Sequence, residues 1–304
     1  MLMTSVIICT YNRELYLPKC LEHLKNQTAD PKSYEIVIVN NNSSDSTDAI
    51  CKEFCQKNPA LQITYIIETT PGLSAARNCG IQNSKGDLLC FIDDDGFAFP
   101  DYVDNLIRIR ATHPEILAFG GRIYPEFEKE KPIWLTKWLM PLLSVLDKGD
   151  EITFFKGNSY PIGANMGFTK SIISQIGDFN CELGRKGDLL LGGEEKDFFY
   201  RIKNEHIQIY YLPNLKVTHI IPASRLHIDY IKRLGIGIGL SEQKRTKSEH
   251  TLIYLFSVVL EMLKWVATFF LAFYYFFIHI DKSKFLVKFR LWVTKGLIFT
   301  KQEQ

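Results

Sequence analysis

Paired cysteines are missing from this chain: its seven cysteines are an odd number, scattered without any C-x-x-C. That argues against a disulfide-stapled scaffold and for a reduced, cytosolic compartment. Cys51 and Cys55, one helical turn apart, read as packing rather than as a ligand pair. An excess of one charge is missing too. Thirty-six Lys and Arg against 34 Asp and Glu leave a formal net charge of +2 over 304 residues, which excludes a dedicated nucleic-acid binder. The opening MLMTSVIICTYNR has no basic n-region and too short an apolar stretch for a secretory signal, so any catalytic part is expected to stay in the cytoplasm. Internal repeats and low-complexity linkers are absent.

The first 115 residues instead alternate as a doubly wound α/β sheet requires. Short apolar runs predict strands at 5–9, 35–40, 63–67 and 87–93. Leu17, Leu21 and Leu24 mark a helix over 13–26, and two more helices are predicted over 46–57 and 72–83, with Ser44 or Ser46 able to cap the second. In such folds ligands bind beyond the carboxyl ends of the strands, where TYNR (10–13), NNNSSD (40–45) and DDD (93–95) fall. Beyond residue 115 a strand followed by a loop is expected over 119–127, and a strand over 160–170 leading into a short helix from Ser171. The stretch 179–203 is glycine-rich and charged, and strands are expected at 207–213 and 216–221.

FIDDDGFAFPDY (91–102) crowds three aspartates at the mouth of an apolar strand. Carboxylates leaving such a strand repel one another and lose solvation. An exposed acidic turn tolerates this. A divalent cation that also holds a phosphate ligand makes it favourable.

SVIICTYNR, VNNNSSDST, GLSAARNCGI and FIDDDGFAFP, in that order and followed by GGEEKDF, together resemble the family 2 glycosyltransferases of the GT-A fold, over residues 1 to about 240. The resemblance implies an α/β fold: a doubly wound mixed sheet flanked by helices, of the nucleotide-diphospho-sugar transferase type. It implies that Thr10 and Tyr11 hold the nucleotide base. Asn40 stands where the family usually has an aspartate that accepts from the base. Its amide oxygen still accepts, but the charge is gone, and the base is left open among uracil, guanine and thymine. Arg77 resembles an arginine near the nucleotide that counters the pyrophosphate or braces the aspartates. Asp93 would support the turn, Asp94 lie near the ribose, and Asp95 bind Mn2+ or Mg2+. His219, at a strand end, would sit near the metal or diphosphate, a buried structural histidine being the alternative.

Glu195, in the acceptor-site motif, is the base expected to take the acceptor hydroxyl's proton in an inverting transfer. Glu194 and Asp197 beside it are expected to raise its pKa. The implied partners are a nucleotide-diphosphate sugar donor and a glycan or polyprenyl-linked acceptor. A QxxRW signature is missing, which favours single-residue addition. A sugar-phosphate nucleotidyltransferase would open with G-x-G-x-R after the first strand, and CTYNR is not that. A non-catalytic nucleotide-sugar-binding scaffold is the third reading.

The expected division is 1–240 for the transferase domain (1–115 binding nucleotide, 116–240 acceptor) and 241–304 for membrane-associating helices. The uncharged run from Trp265 to Ile278 is shorter than the roughly 20 residues of a clean span. Basic residues flank it on both sides, at Lys244, Arg245 and Lys247 and at Lys282 and Lys284. That symmetry favours helices lying in, or dipping into, the cytoplasmic face of the membrane, with a true span or a packed hairpin as alternatives. Trp134 and Trp138 suit either a sugar platform or an anchor. GIGIG (235–239) follows a helix rather than a strand and is rejected as a phosphate loop.

Overall fold

The structure, a computed structural model, describes residues 4–184 and 192–299. The middle of the glycine-rich stretch, residues 185–191, lies outside them. The elements run β1 (Thr4–Thr10), α1 (Leu17–Lys25), β2 (Tyr34–Asn40), α2 (Thr47–Lys57), β3 (Ile63–Ile67), α3 (Leu73–Asn83), β4 (Leu88–Ile92), β5 (Gly96–Ala98) and α4 (Tyr102–Thr112). There follow β6 (Ala118–Phe127), β7 (Thr153–Phe154), β8 (Asn165–Thr169), α5 (Ile173–Ile176), α6 (Glu194–Asn204), β9 (Ile209–Ile221), α7 (Ile228–Glu249), α8 (Thr251–Ile278) and α9 (Ile280–Thr294).

The sheet has the order β3-β2-β1-β4-β8-β6-β9-β5, with β7 on β9. Strands β3, β2, β1 and β4 are parallel, and β8 pairs antiparallel with β4 and β6. Both faces of the parallel half are covered, so its strands are apolar at successive residues. Val6, Ile8, Ile36 and Ile38 face one core, against Leu17, Leu21 and Leu24 of α1 and Leu106 of α4. Ile7, Val37, Val39 and Phe91 face the other, against Ala76 of α3 and Phe198 and Ile202 of α6.

Three local features differ from the sequence expectation, each for a visible reason. Helix α1 starts at Leu17 rather than Arg13, because residues 12–14 are tied to the β2–α2 loop. Asn12 takes φ of 52°, Ser44 N–H donates to Asn12 Oδ1 (2.8 Å) and Glu14 N–H to Asp45 Oδ2 (3.2 Å). No serine caps α2; Asp45 Oδ1 accepts from Thr47 N–H instead, at 3.0 Å. The two strands expected at 207–213 and 216–221 are one strand, β9. On one flank β7 pairs at Tyr210–Tyr211 and β5 at Val217–His219, so Pro213 falls between them, where no ladder donor is needed.

The chain divides into two compact units, one of Met1–Glu126, Ser144–Cys181 and Glu194–Ile220 and one of Phe127–Leu143, Glu182–Gly193 and Ile221–Gln304. In the second, GIGIG lies inside α7 with Gly235, Gly237 and Gly239 all buried. A Cβ on Gly239 would overlap the Val293 carbonyl oxygen, and one on Gly296 the Ile236 carbonyl oxygen. These glycines let two backbones touch. Leu297, just beyond, offers its carbonyl to Gln243 Nε2 (2.8 Å) and to the Tyr254 hydroxyl (3.3 Å). Trp134 stacks on Phe285, ring centroids 3.9 Å apart, which engages it as an anchor. Helix α8 runs 28 residues, twice the uncharged core seen in sequence. Among the described residues it is the one helix long and apolar enough to cross a membrane, by length and composition.

Candidate active site

Three loops at the carboxyl edge of β1, β2 and β3 are laced together by asparagines. Asn41 Nδ2 donates to the carbonyls of Glu68 (2.9 Å) and Thr70 (2.7 Å), and Gly72 N–H donates back to Asn41 Oδ1 (2.8 Å). Asn40 is equally committed: its Oδ1 accepts from Ser43 N–H (2.9 Å) and its Nδ2 donates to the Tyr65 hydroxyl (2.9 Å). That hydroxyl in turn donates to Asp48 Oδ1 at 2.6 Å. A phenol has one proton to give, so once it goes to Asp48 only a donor suits position 40. This is a local reason for asparagine where the resemblance expects aspartate. Thr10 is buried at the end of β1, and Tyr11 stands half exposed beside it.

The aspartate run sits in the turn between β4 and β5. Gly96 N–H closes the turn on the Asp93 carbonyl (2.8 Å), and Ile220 N–H donates to the Asp95 carbonyl (3.0 Å). Because Gly96 is in register with His219 across β5 and β9, the imidazole arrives next to the turn. His219 Nε2 lies 3.0 Å from Asp95 Oδ1, both side chains essentially sealed from solvent. One ligand atom from each of Asp93, Asp95 and His219 lies within 4.8 Å of the others. Asp93, which the sequence assigned to the turn, thus stands in the metal-competent set with Asp95 and His219. Asp94 turns to Arg13, whose Nε is 3.3 Å from Asp94 Oδ1, and Arg13 Nη2 lies 3.5 Å from Asp95 Oδ2. Burial pushes Asp94 up to about 7, Arg13 opposing and Asp95 adding to the rise. Burial pushes the thiol of Cys9, beside them, up to about 12.

Arg77 is 2 % exposed on α3, with Nη2 3.0 Å from Glu195 Oε1 and Nη1 3.3 Å from Glu194 Oε1. Its guanidinium also lies over the Phe179 ring at 5.3 Å, and Phe179 stacks on Phe198. Burial alone would lower its pKa, but Glu195, Glu194 and Asp93 raise it. The nearest carboxylates to Arg77 are therefore those of the acceptor motif, with Asp93 close enough to be felt. Asp197, the other acid beside Glu195, is held by Arg201 at 2.9 Å. The acids of this turn, favoured at a helix start by the macrodipole, are each met by an arginine.

Gly163 completes this arrangement and was not read from sequence. A Cβ there would overlap Arg77 Nη2 and Glu195 Oε1. Its backbone has no positive φ, so the need for glycine is purely spatial. Arg13 was missed as well; its place in TYNR, just past β1, was the available signal.

A doubly wound mixed sheet with its acids gathered past the strand ends defines a nucleotide-sugar transferase of the GT-A fold. The family model described as glycosyl transferase family 2 matches residues 5–177, more than half of the chain. The chain belongs to that family and is a glycosyltransferase, which sets aside the nucleotidyltransferase and scaffold readings. It is 25 % identical over 247 residues to glucosyl-dolichyl phosphate glucuronosyltransferase of Haloferax volcanii, covering 79 % of this chain and 76 % of that protein. It is 40 % identical over 117 residues to glycosyltransferase GlyA of Streptococcus pneumoniae, covering 38 % of this chain but 16 % of that protein. Among solved structures, the mannosyltransferase PcManGT of Pyrobaculum calidifontis, in complex with GDP-Man and Mn2+, shares the fold with TM-score 0.64. The likeness covers 99 % of this chain and 88 % of that one at 14 % identity.

Proposed function

We propose that this protein transfers a sugar from a nucleotide-diphosphate donor to a hydroxyl on a lipid-linked or surface-polysaccharide acceptor, with inversion at the anomeric carbon. The observation that carries it is Glu195, held through Oε1 by the buried Arg77. Oε2 is then the oxygen that takes the acceptor hydroxyl's proton as the hydroxyl attacks. Arg77 is a positioning residue: it fixes the carboxylate's orientation.

Asp93, Asp95 and His219 fit a divalent cation, since two carboxylates and one imidazole converge with a ligand atom from each within 4.8 Å, a set that suits Mn2+ or Mg2+. When bound, the ion would counter the charge of the diphosphate leaving group. Asp94 and Arg13, which meet across the β1–α1 loop and the β4–β5 turn, would serve the ribose and phosphates, and the half-exposed ring of Tyr11, with Thr10 and Asn40, would serve the base. The Haloferax relative is named for a dolichyl phosphate acceptor, and the apolar α8 is compatible with work at the cytoplasmic face of a membrane. The test pairs Glu195→Gln with a nucleotide-sugar panel. Transfer should vanish while Mn2+-dependent thermal stabilisation by one donor remains, and full turnover by the variant would show that another group is the base.

A further inference from the structure

Helix α8 is inside out. Its buried residues are Ser257, Glu261, Thr268 and Ala272, whereas Phe256, Leu263, Phe270 and Phe277, seven residues apart on one stripe, are each 60–72 % exposed. A helix folded for water buries the second set and exposes the first.

The inward polar face is fully used. Arg290 Nη1 lies 3.2 Å from Glu261 Oε2, Arg290 Nε donates to Thr268 Oγ1 at 3.2 Å, and Thr294 Oγ1 donates to Glu261 Oε1 at 3.0 Å. Trp265 Nε1 closes the set on Thr294 Oγ1 at 2.8 Å. These contacts pair rising numbers on α8 with falling ones on α9, so the two helices lie antiparallel along their length. Helix α9 buries Phe285, Leu286, Phe289 and Val293. Its exposed positions are Lys284, Lys288 and Leu291, continued by Lys295, with Asp281 the acid on that side.

The register decides what covers the apolar stripe. With 290 beside 261–268 and 294 beside 265, Lys284, Lys288 and Lys295 run beside the central part of α8. A spanning α8 would carry these ammonium groups to hydrocarbon depth, where they are costly. A helix lying in the membrane plane puts them at headgroup level instead. An open apolar groove of about 530 Å3 is lined by Val266, Phe269, Phe273 and Phe276.

We propose that α8 and α9 form a monotopic anchor lying flat in an anionic bilayer surface, with the Phe256–Phe277 stripe among the acyl chains and the α9 lysines on lipid phosphates. This deepens the membrane part of the function proposed above, yet its test needs no sugar transfer.

The full chain is floated with vesicles of phosphatidylcholine alone or with phosphatidylglycerol added. It should bind the acidic vesicles more tightly, in a salt-sensitive way. Lys284→Gln with Lys288→Gln should weaken that binding roughly 25-fold, from about a fivefold loss per basic residue, and leave binding to neutral vesicles unchanged. Phe270→Ser with Phe277→Ser should lose both, with far-ultraviolet dichroism unchanged. Orientation is read from a fluorophore on Phe256→Cys, Leu263→Cys, Phe270→Cys or Phe277→Cys, in a Cys181→Ser background, against lipids carrying quenchers at set depths. Equal shallow depth at all four supports the anchor. Depth that peaks at 263 and 270 is a span and overturns it. A chain that dimerises through this stripe and ignores vesicles overturns it as well, and does so even if transfer to a soluble acceptor is intact.

Discussion

The first unit and helix α8 use similar residues in opposite radial order. In the first, Ile7, Phe168 and Phe198 are inside, and the carboxylates of Asp95 and Glu194 are drawn inward only at strand and helix ends, each beside a cation or imidazole. In α8, Glu261 is inside, paired with the one-fifth-exposed Arg290 of α9, and the phenylalanines are outside. On the proposed function, buried charge at the sheet edge is shared with a bound ligand. Along α8 it is already satisfied by its neighbours and serves to hold two helices together. The same interaction thus answers different needs, and exchanging the partners should separate them.

The sharpest break is at Glu195. Changing it to glutamine removes a base and keeps a hydrogen-bond partner for Arg77, so transfer should fall about 10²–10⁴-fold while thermal stability and nucleotide binding hold. Glu261→Ala is the counterpart in the other region. It strands Arg290, only a fifth exposed, and should cost about 3 kcal/mol of stability, the low end for a broken buried pair. Denaturant unfolding in detergent measures it, and a Glu261→Leu, Arg290→Met double variant should recover most of the loss. If Glu261→Ala instead left stability intact, the interface would not be held by that network.

Gly163→Ala tests whether space alone holds the acceptor carboxylate in place. The new methyl group displaces Arg77 or Glu195, and a shift of about 1 Å should lower turnover roughly 10²-fold with about 1–3 kcal/mol of overpacking strain. A drop in kcat with unchanged donor affinity is the expected split. The smallest effect is at Asn40→Asp, which removes the donor to Tyr65 and brings a second carboxylate to a phenol already bonded to Asp48. Stability should fall by about 1 kcal/mol, read from the shift in Tm.

The doubly wound half was legible because its signal is local: continuous apolar runs for strands, period-3.6 leucines for α1, and acids at strand ends. Thr10, Asp95, Glu195 and His219 were proposed through the resemblance carried by short motifs next to those runs. What escaped depends on residues distant in sequence. Gly163 matters only because α3 and α6 bring Arg77 and Glu195 over its backbone, and no pattern near residue 163 records that. The Asn40–Tyr65–Asp48 chain likewise crosses three elements. In the tail the sequence showed an apolar run with basic flanks, but not its facing. That follows from the pairing of α8 with α9, since Glu261 one turn from Lys264 looks like a surface pair until Arg290 arrives from the next helix.

The contact of Gly239 with Gly296, and the Leu297 carbonyl just past it, bear on the timing of synthesis. The α7–α9 assembly is clasped by some of its most C-terminal described residues. It can close only after residue 297 has left the ribosome, when the phenylalanine stripe of α8 has been outside for some time. During that interval the helix has neither its polar partner nor a finished neighbour, and on the proposed anchor lipid is what covers its outer face. A chain shortened to end at Thr294 would stay in that state, with Gln243 and Tyr254 deprived of their acceptor and α8 free to seek other surfaces.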